Sequence, residues 1–138
     1  MKLLSGLLLA LAINAAPHSL YSDEDIVSLV ILGEARGEGE AGMYAIACVI
    51  KQRMIERNLT ARQVCMEPGQ FVKPNRHHLK SVSAPYAIKL ANDVTSGKDL
   101  DRKYINYANY FCTLKTFPDW ATGHKPVKVI KHHKFFKL

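Results

Sequence analysis

Apolar positions in this chain follow a helical repeat first and a strand-like alternation later. Ile26, Leu29, Val30 and Gly33 recur at helical spacing behind Ser22-Asp23-Glu24-Asp25. In that run Ser22 suits an N-cap and Asp25 completes a capping box. The clearest pattern runs from about Glu40 to Arg57, where Met43, Ile46, Ala47, Ile50 and Met54 share one face. It predicts a core helix closed at Asn58. Thr60 starts a short helix through about Cys65, and Pro68-Gly69 marks a turn. Residues 72–83 read as a polar loop. Pro85, Ala87, Ile88, Ala91 and Val94 then predict a further helix ending before Gly97. Beyond it, the aromatic alternation of residues 104–111 reads as a strand. Val127 to Ile130 with Phe135-Phe136 reads as a closing one. Helices first and a small sheet last indicate an α+β domain. No internal repeat or interdomain linker is visible.

Length and charge narrow this picture. A chain of 138 residues builds one core, and 48% apolar with 22% charged residues is an ordinary globular balance. A net charge of +7 points to a polyanionic partner, whether nucleic acid, anionic lipid or an acidic wall polymer. The N-terminus chooses among them. Lys2, an apolar stretch over residues 3–13 and the small residues Ala15 and Ala16 match a secretory signal peptide over residues 1–16, with cleavage near Ala15. The stretch falls short of the ~20 residues of a lasting membrane anchor. Residues 17–138 then form a single secreted or periplasmic domain, and a nucleic-acid partner is disfavoured. In that compartment three cysteines allow one disulfide. Cys65 with Cys112 is the expected pair, since Cys48 falls within a helix. Their spacing is no zinc signature.

Candidate chemistry concentrates in Leu32-Gly33-Glu34-Ala35-Arg36-Gly37-Glu38-Gly39-Glu40-Ala41-Gly42, the joint between the first two helices. Glycines let the backbone turn sharply and a ligand approach closely. Glu34, where the first helix ends, is the leading catalytic candidate. Burial and the like charge of Glu38 would raise its pKa towards that of a general acid. The competing reading pairs Glu34 with Arg36 or Arg53 in a structural ion pair. His77-His78 and His132-His133 raise the alternative of a zinc amidase, but adjacent histidines point apart and no His-Glu-x-x-His is present. There is no Gly-x-Ser-x-Gly and no phosphate loop. The basic run Lys125 to Lys134 fits attraction to the wall or simple solvation.

The ordered motifs carry a family resemblance. Gly33-Glu34-Ala35-Arg36-Gly37-Glu38, the helix Ala45 to Arg53 and Gln70-Phe71 come first. Tyr110-Phe111, Pro118-Asp119-Trp120 and Ile130 to Phe135 follow. Together they resemble the cell-wall hydrolases of the SleB/CwlJ, spore cortex-lytic type, over about residues 23 to 137. The resemblance implies a small lysozyme-like α+β domain, helices followed by a small antiparallel sheet. It implies an enzyme that cuts peptidoglycan glycan strands as a lytic transglycosylase or muramidase; the sequence itself gives no reason to expect a metal or cofactor, and a monomer is expected. Carried over, Glu34 is the general acid/base, and Glu38 is the second acid if one serves. Gln70, Phe71 and Tyr110 are sugar-contacting groups. A non-catalytic wall-binding module is the alternative from another class. The chain departs from the family pattern in three places: Gln52 replaces an Asn, Val72-Lys73 stand where a Trp is often near, and Lys131 replaces a Gly. No cue for sporulation is present.

Overall fold

A computed structural model describes residues 20–138; the expected signal peptide lies outside the described residues. Helix α1 (Asp23–Ala35) opens with the expected capping box, Ser22 and Asp25 each bonding the other's backbone N–H at 3.1 Å. Every residue from Ile26 to Leu32 is buried, so α1 is a central helix rather than an amphipathic surface one. It is wrapped by α2 (Gly39–Arg57), α3 (Ala61–Cys65) and α4 (Ala84–Thr95). Asn58 ends α2 in the left-handed conformation, φ 51°, which its short polar side chain tolerates. Thr60 and Gln63 form a second capping box at the start of α3.

The sheet closes the fold on one flank and runs antiparallel in the order β1 (Tyr110–Thr113), β3 (His133–Phe136), β2 (Lys128–Ile130). Phe135, in the middle strand, is fully buried. Helices followed by a small antiparallel sheet make this an α+β, lysozyme-like domain.

Several expectations need correction. Only Tyr110 and Phe111 of the aromatic stretch 104–111 are strand. Residues 102–105 form a 3-10 turn, and Asn106 and Tyr107 both take positive φ (52° and 58°), which reverses the chain before β1. The alternation there reports two packing directions at a corner: Tyr104 meets Tyr44 edge-on at 5.6 Å while Ile105 is buried. The expected closing strand is a hairpin, β2 and β3, turning at Lys131 with φ 48°. The polar loop contains a 3-10 helix, Arg76–Lys80, capped by the Asn75 side chain on the N–H of His77. The expected Cys65–Cys112 disulfide is not formed, and all three thiols are free. Cys65 is buried at the end of α3, whereas Cys112 lies in β1 with its Sγ towards the Thr116 carbonyl, so the two face different surroundings.

Candidate active site

Glu34 sits in the last turn of α1, half-buried, with Leu32 and Ala35 buried beside it in the core. Its Oε1 accepts a 2.7 Å hydrogen bond from the backbone N–H of Val72. Burial raises the carboxyl pKa above the ordinary glutamate value; the Val72 N–H and the nearby positive charge of Arg53 pull the other way without cancelling it. Glu34 forms no ion pair among the described residues, with neither Arg36 nor Arg53. Arg36 instead turns its guanidinium back to the carbonyls of Leu32 and Gly33.

Gly33 explains how the Val72 loop reaches the acid. A Cβ at position 33 would lie 2.3 Å from Val72 Cγ2, well inside van der Waals contact. With valine at position 72, glycine lets the loop settle on the last turn of α1 and aim an N–H at the carboxylate.

Glu38 has another task. Its Oε2 accepts from the His132 N–H and its Oε1 lies 3.1 Å from His132 Nδ1, fastening the α1–α2 joint to the β2–β3 turn. The same oxygen is 4.0 Å from Nδ1 of the buried His133. Gly42 makes room for this, since a Cβ there would fall 2.2 Å from Glu38 Cβ. The role of second acid therefore gains nothing from the geometry; Glu38 is already engaged as a clasp.

Beside Glu34 lies an aromatic wall. Arg53, on the inward face of α2, is fully buried and donates from Nε to the Asn109 carbonyl at 2.7 Å. Its guanidinium lies 5.0 Å from the ring centroids of both Phe71 and Tyr110. Phe71 continues to Phe111 at 5.9 Å, and Tyr110 to Trp120 at 5.1 Å. Arg53, Gln70, Tyr110, Thr116 and Trp120 line a hollow of about 190 Å³. The carboxamide of Gln70 makes no hydrogen bond to the described residues. A larger apolar groove of about 620 Å³ shares Gly69 with the hollow and passes Phe71 and Val72 towards Tyr21 and Ile26. Glu34 lines neither, but it is hydrogen-bonded to Val72 of the groove and lies within electrostatic reach of Arg53 of the hollow. Of the expected sugar-contacting residues, Gln70 and Tyr110 share the hollow, and Phe71 stands at its edge over Arg53.

The expected histidine pairs separate as adjacent residues do: His132 is exposed and His133 is buried against Phe111. No three His, Cys, Asp or Glu side chains gather as metal ligands among the described residues. Gln52, at the family's Asn position, bridges Glu56 and Arg102 at 2.8 and 2.7 Å.

A family model described as cell wall hydrolase matches residues 37–136. The chain belongs to this family. The match begins at Gly37, just after Glu34, so the acid itself rests on geometry and on the flanking motif. Among solved structures the hydrolase is similar to the catalytic domain of the Bacillus cereus SleB protein, with 27% identity and a TM-score of 0.60 over 85% of this chain and 92% of that one. It is equally similar to the catalytic domain of the germination-specific lytic transglycosylase SleB from Bacillus anthracis: 27% identity, TM-score 0.60, 85% of this chain and 97% of that one. No curated protein matches.

Sequence reasoning offered Arg53 only as a possible ion-pair partner of Glu34. It stands three residues after Ile50 and seven after Ile46, an inward position by helical spacing, and that is the signal that marks it. Trp120 was visible only through the order of the family motifs, and His133 through that order and as half of a candidate metal-ligand pair. Their packing on Tyr110 and Phe111 depends on the sheet.

Proposed function

We propose that this hydrolase cuts the glycan strand of peptidoglycan between N-acetylmuramic acid and N-acetylglucosamine outside the cytoplasm, with Glu34 as the acid and then the base. The observation that carries the reading is a half-buried, unpaired carboxyl with a raised pKa beside an aromatic-walled cleft. Membership of the cell wall hydrolase family and the likeness to a lytic transglycosylase domain support it.

In this scheme protonated Glu34 gives its proton to the glycosidic oxygen as the bond from C1 breaks. Positive charge then develops at C1 and the ring oxygen, opposite the carboxylate just formed. That carboxylate next removes the proton of the muramoyl 6-hydroxyl, whose oxygen bonds C1 to close a 1,6-anhydro ring. Both bonds and the proton balance, and Glu34 ends protonated. One carboxyl therefore suffices, whereas ordinary glycosidases need a spaced pair. The Val72 N–H holds the carboxylate in place during the interval when it is charged. Gln70 and Tyr110 supply an amide and an aromatic face for the sugar rings.

The test is digestion of purified sacculi by wild type and Glu34→Gln, with the released muropeptides identified by mass. Anhydromuramoyl ends released by wild type alone are the expected result. Reducing ends would assign hydrolysis by water, and equal activity in the variant would remove Glu34 from the mechanism. Sacculi bound by wild type but never cut would point to a wall-binding module, and free stem peptides to an amidase.

A further inference from the structure

Among the described residues, Arg53 is a fully buried charge with no matching partner at contact distance. Its side chain is 98% shielded from solvent, given 2% exposure. Its Nε is satisfied by Asn109, yet Nη1 is buried with no hydrogen-bond partner. No carboxylate forms an ion pair with it among the described residues; Glu56, the nearest acid in sequence, accepts from Gln52 and Asn109 at 2.8 and 3.0 Å, and Glu67 is held by Arg57 at 2.6 Å. Burying a guanidinium with an unused N–H costs stability unless something pairs with it. The cost is retained where the hollow opens. Arg53 is part of its lining, to which Gln70, Thr116 and Tyr110 add an amide and two hydroxyls. The Phe71 and Tyr110 rings hold the guanidinium in position by cation–π contact.

We infer that this hollow is a carboxylate-binding site in which the Arg53 fork receives a carboxylate carried by the substrate. The inference rests on the glycan-cutting reading. Within it, the muramoyl lactyl carboxyls of a peptide-bearing strand are tied up as amides, so the carboxylates left to the site are those of the peptide stems, and the enzyme would prefer strands whose stem carboxylates are free to strands whose stems are amidated. A planar guanidinium matches a carboxylate bidentately, and such charge-assisted pairs are the stronger class of hydrogen bond. A bound carboxylate also neutralises the positive charge that lowers the Glu34 pKa. Occupancy at Arg53 therefore keeps the acid protonated to higher pH.

The experiment uses Glu34→Gln, which binds without turnover, and a disaccharide-peptide probe in two forms: with free stem carboxylates and with the same carboxylates amidated. Calorimetric titration should show the free-acid probe binding about tenfold tighter or more, the scale of one charge-assisted pair. The preference should vanish in Glu34→Gln/Arg53→Gln. Because Arg53 also supports the core, Thr116→Val in the lining serves as a second variant that leaves the guanidinium in place, and it should reduce the preference without abolishing it. Acetate at millimolar concentration distinguishes the sources: competition by acetate equal to that by the stem would mean a free small-anion site and overturn the substrate assignment. In active enzyme, the alkaline limb of the kcat profile should lie higher for the free-acid substrate than for the amidated one. Equal affinity for both probes, with strands still cut by wild type, would overturn the inference and leave the glycan-cutting reading intact. Failure to bind or cut any strand would instead remove that reading.

Discussion

Gly33→Ala is the sharpest test of how the acid is positioned. Gly33 lies inside α1, where alanine is favoured over glycine by about 1 kcal/mol. On propensity alone the substitution would stabilise the protein. The new Cβ, however, would sit 2.3 Å from Val72 Cγ2, more than an ångström inside ordinary contact. Relief requires either an off-rotamer valine or a shift of the loop, and overpacking of this kind costs about 1–3 kcal/mol. The net expectation is a loss of about 0–2 kcal/mol, with weakened activity as the Val72 N–H moves away from Glu34. Removing the offending methyl reverses the sign. With Val72→Ala the nearest remaining side-chain atom is the former Val72 Cβ at 3.6 Å, an ordinary contact. In that background Gly33→Ala should stabilise by up to about 1 kcal/mol. Urea denaturation of the four proteins of the cycle, with sacculus digestion alongside, measures the coupling directly. A coupling energy below about 0.5 kcal/mol would refute the claim that glycine is needed for the loop to dock.

Other outcomes follow from the same geometry. Glu34→Gln should lower strand cleavage by about 10²–10⁴-fold, the usual worth of a general acid, while leaving the fold intact by circular dichroism. Because burial raises the Glu34 pKa, wild-type cleavage should fall as pH rises through that raised value; a profile falling on the ordinary glutamate value would contradict the placement. His133 is held neutral by burial to below the 6.5 of a free imidazole. Its contribution to stability is therefore complete above about 6.5 and is lost as pH falls towards the lower folded value. His133→Gln should flatten that acid-side slope of the urea midpoint, and an unchanged slope would sink the assignment. Burial pushes the thiols of Cys48 and Cys65 up to about 12. Iodoacetamide should thus label Cys112 alone in the native protein, with three labels by mass only after unfolding. Finally, Lys131→Gly should stabilise by about 0.5–1 kcal/mol, because glycine adopts the positive φ of the β2–β3 turn without the Cβ strain that lysine bears.

Local signals carried most of what the sequence made legible. The two capping boxes, the stop at Asn58 and the helix after Pro85 depend on neighbours within a turn, and each is present in the fold. Glu34 was legible because a glycine-rich joint and an acid are adjacent in the chain. What escaped depended on distant partners. The corner at Asn106-Tyr107 looks like strand alternation until Tyr44 and Val127 are brought against it. The engagement of Glu38 cannot be read locally, since its partner His132 stands 94 residues away. The burial of Arg53 escaped because a charged residue near a helix end is usually solvated, and its partners, the rings of Phe71 and Tyr110 and the Asn109 carbonyl, are distant in the chain.

The clasp between Glu38 and His132 also bears on timing. The joint carrying the acid is made before the hairpin that fastens it, 94 residues further along the chain. Contacts this far apart in sequence form late in folding. A growing chain that has reached Tyr110 holds its acid on a helix whose exit is untethered and whose cleft lacks Trp120 and the middle strand. The candidate site is therefore assembled only once the β2–β3 hairpin docks against the joint.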